Sequence, residues 1–297
     1  ELLGGNSRMS YSDIARHFGF SDVAIRKRVE KLVEKGIITK FTTVVDRKKL
    51  GKNVTAFIFF NTRSDKTQEI AEQLLALGCD VLAYDQYGHG KSQGKRGHLA
   101  SDHQLLEHLR DVWRAIEPAA PTRRILLGHS LGGLLAAAAV ARGFVQPDAL
   151  VLSSPALAVD MAAWQRAAVR WLPRLAPNLT LGNGLNADYL SHDRRVVEAY
   201  RQDPLVHDRI CARLGAFVAN AGEQVLQQAP QWHVPTLLLY AGEDRLVSPR
   251  GSDAFASVAP RAVVTSKRFD GLYHEIFNET DATPVFTALA DWLAVAG

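Results

Sequence analysis

Ile125-Leu126-Leu127-Gly128-His129-Ser130-Leu131-Gly132-Gly133, continuing into the Ala-rich run 134–140, is the stretch whose reading decides the fold. Three aliphatic residues in a row suit a strand buried on both faces, and the Ala-rich run suits a packed helix. Between them lies one serine in the pattern Gly-x-Ser-x-Gly. The glycines let the backbone reverse tightly and approach its neighbours without a Cβ clash. A serine at the tip of such a strand-to-helix turn stands above the sheet, its backbone near the positive end of a helix. The five-residue pattern alone is common. With this strand and helix around it, Ser130 becomes the candidate nucleophile.

Working outward, further apolar runs at 79–84, 149–152 and 236–240 read as strands, with a weaker one at 262–265. Amphipathic or apolar helical patterns occupy 105–116 and 284–295. Near-continuously apolar strands alternating with helices predict an α/β fold with a doubly wound, mostly parallel sheet. From 153 to about 231 the strand signals stop. Met161, Trp164, Val169, Trp171 and Leu172, then Leu175, Leu179 and Leu181, follow roughly helical spacing there. A helical cap over about 155–231 is expected, either as extra core or as an apolar roof for a substrate. The excess of Trp and Leu favours the roof.

A serine hydroxyl needs a base to take its proton, and the base needs an orienting acid. The chain order for this fold is serine, acid, histidine. The histidines after Ser130 are His192, His207, His233 and His274. His192 and His207 fall in the cap, and His233 precedes a strand. His274 lies in a Gly-containing loop after the last strand and is the expected base. Asp244 follows the strand 236–240 and is the expected acid. Its neighbour Glu243 is expected to face solvent, and Asp270 is too close to His274 in sequence to orient it easily.

These residues together resemble the serine α/β-hydrolases, specifically the bacterial monoacylglycerol lipase and lysophospholipase group. The likeness covers about 74–297 and is carried further by Tyr84-Asp-Gln-Tyr-Gly-His-Gly-Lys-Ser92, Gly94-Lys-Arg-Gly-His98, Asp203-Pro-Leu-Val-His207 and Gly271-Leu-Tyr-His-Glu275. The resemblance implies hydrolysis of lipid-like esters such as monoacylglycerols through an acyl-serine intermediate. It also implies that the backbone N–H of Leu131 helps hold the oxyanion. That group carries a His-Gly loop at the end of the preceding strand, which supplies a second N–H. Here that strand, 54–60, ends in Asn61-Thr-Arg-Ser64, and the nearest His-Gly is His89-Gly90 in a later turn. Losing one oxyanion donor costs ~100- to 1000-fold in kcat, so activity is expected to be low.

The N-terminal fifth reads differently. Residues 1–63 hold 13 Lys/Arg against 6 Asp/Glu, and the rest holds 22 against 25. A basic segment on a slightly acidic body predicts two modules with different partners. Ser10 and Asp13 resemble a capping box before a short helix whose apolar face is Ile14, Ala15 and Phe18; Gly19 ends it. Ser21 caps a second helix with Asp22 at its first position. Ile25, Val29, Leu32 and Val33 form its apolar stripe, among Arg26, Lys27, Arg28, Lys31 and Lys35. The β-branched segment 37–46 suits a wing. Helix, Gly-containing turn, basic helix and wing predict duplex-DNA binding. Ser21, Asp22, Arg26, Lys27, Arg28 and Lys31 are the expected contacts.

Tyr11-Ser-Asp-Ile-Ala-Arg-His-Phe-Gly19, the helix from Ser21 to Gly36, Thr43-Val-Val-Asp46, Lys49-Leu-Gly51 and Asn53-Val-Thr-Ala-Phe-Ile-Phe-Phe60 resemble the Lrp/AsnC transcription regulators. The chain thus looks like a splice. A winged helix-turn-helix is expected over 1–52, a βα junction from the regulator-like segment (its helix at 66–77) over 53–73, and the hydrolase domain over 74–297. The alternative is an Lrp/AsnC-like regulator whose inactive hydrolase-like body senses a ligand. An artificial fusion is a third reading.

Apolar content of 47% and charged content of 22% are ordinary for a globular protein. No run of about 18 apolar residues predicts a membrane span. The opening Glu-Leu-Leu-Gly-Gly gives no signal peptide to read. Cys79 and Cys211 have neither metal spacing nor a disulfide framework and read as small buried hydrophobes, so a cytoplasmic location is expected. No cofactor or metal is called for.

Overall fold

The computed structural model describes residues 9–35, 54–59 (backbone only), 71–72, 74–75, 79–116 and 123–295. The expected wing (37–46), the segment 61–64 and most of the expected junction helix lie outside the described residues; 71–72 and 74–75 are helical. The chain divides into two compact units, residues 1–51 and 52–297.

In the first unit, α1 (Tyr11–Phe18) and α2 (Asp22–Glu34) start where their caps dictate. Ser10 Oγ accepts from Asp13 N (3.1 Å) and donates to the Asp13 carboxylate. Gly19 closes α1 at φ 68°, a left-handed conformation that glycine adopts without strain. Ser21 Oγ accepts from Ala24 N (3.3 Å), and Ser12 donates to the Asp22 carboxylate across the turn. The core is Ile14, Ala15, Ile25 and Val29. Phe18, Leu32 and Val33, expected on the apolar faces, are exposed among the described residues. Two short helices share one line of contact, and these three side chains fall beside it.

The second unit contains β1 (Val54–Phe59), β2 (Cys79–Ala83), α3 (Gln104–Ala115), β3 (Arg123–His129), α4 (Leu131–Ala141) and β4 (Ala149–Ser153). There follow α5 (Ala163–Leu175), β5 (Thr180–Gly182), α6 (Arg194–Gln202), β6 (Arg209–Cys211) and α7 (Ala212–Gln228). The unit closes with β7 (Thr236–Ala241), α8 (Pro249–Val258), β8 (Val264–Phe269) and α9 (Thr283–Val295). Among the described residues six strands form one sheet in the order β2-β1-β3-β4-β7-β8, and each of these ladders is parallel.

Side chains alternate between two cores on the two faces of that sheet. Leu126, Leu150, Leu152 and Leu238 join Leu134, Leu135, Phe217 and Phe255 on one face. Ile125, Leu127, Val151, Leu237 and Leu239 join Leu74, Val285 and Leu289 on the other. Both faces being covered explains why these strands are apolar without a polar alternation. The edge strand β8 is the exception: Thr265, Ser266, Lys267 and Arg268 are exposed, so the apolar signal at 262–265 marked only its beginning.

The cap region departs from the expectation of helices alone, because β5 and β6 pair antiparallel. Three-residue strands leave too short a pattern to read. α5 buries none of its residues. Trp164, Trp171, Leu175, Leu179 and Leu181 are exposed rather than packed as core. No helix among the described residues is long and apolar enough to cross a membrane.

Candidate active site

The site is assembled where β3, β7 and β8 end. Ser130 joins β3 to α4 at φ 55° and ψ −122°, a conformation L-residues rarely hold. The surroundings impose it. Ser130 N donates to Ser153 O (2.9 Å), while Ser130 O accepts from Leu134 N (3.0 Å) and Ala156 N (3.1 Å). A Cβ on Gly128 would stand 2.4 Å from Gly132 O, so the turn closes only with glycine there. Ser130 Oγ does not cap α4. It lies 2.8 Å from His274 Nε2 instead.

His274 sits in the loop after β8, and its Nδ1 is 2.6 Å from Asp244 Oδ2. Asp244 follows β7; its Oδ1 accepts from Leu246 N and Val247 N, both at 2.9 Å, which fixes the carboxylate's orientation. Glu243 is exposed, and Asp270 pairs outward with Arg268 at 2.6 Å. Burial alone would lower the His274 pKa. The Asp244 charge and hydrogen bond, with the Glu275 charge, outweigh it and hold the imidazole above its ordinary value.

Behind these side chains lies a second polar layer that the sequence reading missed. His129 Nδ1 is 3.0 Å from Ser153 Oγ, and its Nε2 pairs with Glu275 Oε1 at 3.2 Å. The His129 and His274 rings are 4.8 Å apart. Asn278 donates to Glu275 Oε2 (2.9 Å). All of these groups are buried. Burial would raise the Glu275 pKa, but His129, then His274 and Asn278, pull it down to about 2. Glu279 ties the histidine loop to the cap: it accepts from Tyr273 N (2.8 Å) and His192 N (3.1 Å), and pairs with His192 Nδ1 (2.9 Å). The signal available in sequence was Glu275 beside His274, just ahead of the apolar pair Ile276-Phe277.

Leu131 opens α4, so its N–H has no acceptor within the helix. His89 and Gly90 lie in the turn after β2. His89 Nδ1 faces Tyr87 O at 3.1 Å and its ring is 4.8 Å from that of His207, while a Cβ on Gly90 would meet the Asp85 carboxyl. In the first unit, Ser21, Asp22, Arg26, Lys27, Arg28 and Lys31 are all exposed. Arg26 lies over the Tyr11 ring (5.6 Å) and Arg28 over the Phe20 ring (4.1 Å).

A two-faced parallel sheet with a serine turn, a loop histidine and a loop aspartate at one end defines an α/β-hydrolase. The family described as serine aminopeptidase, S33, matches residues 54–281, and the chain belongs to it. A monoacylglycerol lipase of Mycolicibacterium smegmatis is 36% identical over 228 residues, covering 75% of this chain and 81% of that protein. An abhydrolase domain-containing protein of Dictyostelium discoideum is 30% identical over 244 residues, 81% of this chain. The chain spans only 26% of that relative's length. The crystal structure of a Paleococcus ferrophilus monoacylglycerol lipase superposes with a TM-score of 0.74 at 32% identity, covering 82% of this chain and 94% of that one. The chain is thus a serine hydrolase by family. Residues 1–39 match the winged helix-turn-helix DNA-binding family.

Proposed function

We propose that the protein hydrolyses carboxylic esters of lipid-like alcohols such as monoacylglycerols, with Ser130 as nucleophile, His274 as base and Asp244 as its orienting acid. The observation that carries this reading is the unbroken hydrogen-bonded chain Ser130–His274–Asp244 at a backbone position that leaves Ser130 Oγ free for nothing else. In the reaction, His274 Nε2 takes the Ser130 proton as Oγ attacks the ester carbonyl carbon. The resulting imidazolium is stabilised by Asp244, which stays ionised. Collapse of the tetrahedral intermediate expels the alcohol, which takes the proton from His274 and leaves acyl-Ser130. Water, deprotonated by His274, then attacks the acyl carbon, and the bond to Oγ breaks as His274 returns the proton to Ser130 and the carboxylic acid leaves. The Leu131 N–H is one donor to the oxyanion, and helix α4 adds its positive end.

The test is covalent labelling. A fluorophosphonate should mark the protein and a p-nitrophenyl ester should turn over, both lost in Ser130→Ala, with turnover falling ~10,000-fold or more. Equal labelling of the two proteins would remove Ser130 from its role. The lipase relatives support a monoacylglycerol substrate.

The second reading concerns residues 1–52, which we take as a DNA-binding module. Its support is the winged helix-turn-helix match and the exposed basic side chains of α2. A regulator whose body only senses ligand would bind DNA yet resist fluorophosphonate.

A further inference from the structure

Helices α5 and α7 and the far end of α4 enclose a groove of about 880 Å³. At ~1.5 Å rise per residue, the C-terminus of α4 lies roughly 16 Å from the Ser130 turn, so this is a different place from the serine. Its lining includes the apolar Val169, Pro173, Ala216 and Phe217 beside the polar His103, Asn220 and Gln224. Among the described residues its lining carries five arginines, 142, 166, 170, 174 and 213, and two carboxylates, Asp102 and Glu223. The excess is positive.

Four of the five arginines already donate hydrogen bonds, but only Arg213 has a carboxylate partner among the described residues. Arg213 pairs with Asp102 (3.2 Å) and donates to the carbonyls of Leu99 and Ala100. Arg142 donates to Gln224 (2.6 Å), and partial burial pulls its pKa below the ordinary value. The other three fall at i, i+4 and i+8 of α5 and so stack along one face, where like charges repel. Arg166 and Arg174 donate to backbone carbonyls of their own helix region, Met161 O and Arg170 O. Arg170 has no carboxylate partner among the described residues; its guanidinium stands 5.8 Å from the Trp171 ring. A guanidinium binds a carboxylate or phosphate in paired hydrogen bonds, and its stem packs on an alkyl chain. Three such groups without a carboxylate partner among the described residues, lining a groove with apolar side chains, suit an anionic head on a hydrocarbon tail.

We propose that this groove binds a single-chain anionic lipid, its carboxylate or phosphate monoester held by Arg166, Arg170 and Arg174 and its chain lying over Val169, Pro173 and Phe217. The site does not require Ser130 to react, so it stands or falls separately from the hydrolytic reading.

Calorimetric titration of the full chain with decanoate, decyl phosphate, decanol and inorganic phosphate tests it. At least one of the two anionic amphiphiles should bind tenfold or more tighter than decanol and than inorganic phosphate. The triple variant Arg166→Gln, Arg170→Gln, Arg174→Gln should weaken that binding at least tenfold. The triple variant Arg114→Gln, Arg250→Gln, Arg261→Gln, with the same loss of charge elsewhere, should leave it within twofold. If the first triple variant misfolds, Arg170→Glu alone carries the comparison. Tighter decanoate points to a free fatty acid as the natural ligand, and tighter decyl phosphate to a phospholipid-type head. Neither anionic amphiphile binding tenfold tighter than both decanol and inorganic phosphate, both triple variants weakening alike, or no binding by any probe would each overturn the proposal.

Discussion

His274 sets the pH dependence of the proposed reaction. As a base it works only when neutral, and its folded pKa is raised above the ordinary 6.5. The acid limb of kcat/KM is therefore expected above pH 6.5, with activity falling as pH drops through it. Glu275 contributes one of the charges that raise His274, so Glu275→Gln should move that limb to lower pH. A pH–rate profile of both proteins checks this; an unmoved limb would make Glu275 purely structural. Glu275 also links pH to stability. Its folded pKa, about 2, lies below the ordinary 4.5, so its contribution is complete above pH 4.5 and is lost as pH falls toward 2. Glycine at 128 is similarly testable. Gly128→Ala drives a methyl into Gly132 O and should cost about 1–3 kcal/mol, read as a lower urea midpoint at unchanged slope. The grouping of Ser130, Asp244 and His274 was legible in the sequence because Ser130 and Asp244 follow apolar strands and His274 lies in the loop after the last strand, in the order the chemistry needs. His129 and Glu275 were not, because a buried polar contact between distant segments is written only in the tertiary packing.

At the scale of elements, the helices of the first unit were legible through their caps, since Ser10, Gly19 and Ser21 act locally. The inner strands were legible because both of their faces are buried, whereas β8 shows solvent four of its six residues and loses the signal. The pair β5 and β6 is held by pairing across the cap, which periodicity does not encode. The segment from Asn61 to Ser64, where the resemblance would place a second oxyanion donor, lies outside the described residues. The functional claim at this scale is for α2. If its basic side chains contact phosphates, duplex affinity should fall steeply with salt, and Arg26→Ala with Lys27→Ala should weaken binding and flatten that slope by about two. Fluorescence anisotropy with labelled duplex at several salt concentrations measures both. An unchanged slope would move the contact surface off this helix. Ser21→Ala should cost about 1 kcal/mol through its lost cap, without changing the slope.

At the scale of the whole molecule, what decides stability and activity together is where the hydrolase begins. The regulator-like pattern extends through residue 60 and beyond, which places a boundary at 74 if likeness alone decides. The sheet argues otherwise. β1 is not an appendage: it lies between β2 and β3, with Val54 to Ile58 registered against Cys79 to Ala83 and Val54 to Phe59 against Arg123 to Gly128. Removing it would leave β2 without its partner and expose the free edge of β3, the strand that carries Ser130 into its turn. The family match likewise starts at 54, and the compact unit starts at 52. We therefore propose that residues 52–59, whatever their likeness to a regulator, act as part of the hydrolase. A fragment of 52–297 should keep p-nitrophenyl ester turnover within about threefold of the full chain and lose duplex binding. A fragment of 74–297 should be inactive and unfold at lower urea, if it folds at all. Esterase assays and circular dichroism on the two fragments decide it. An active 74–297 would show that β1 is dispensable and that the hydrolase is complete without the spliced strand.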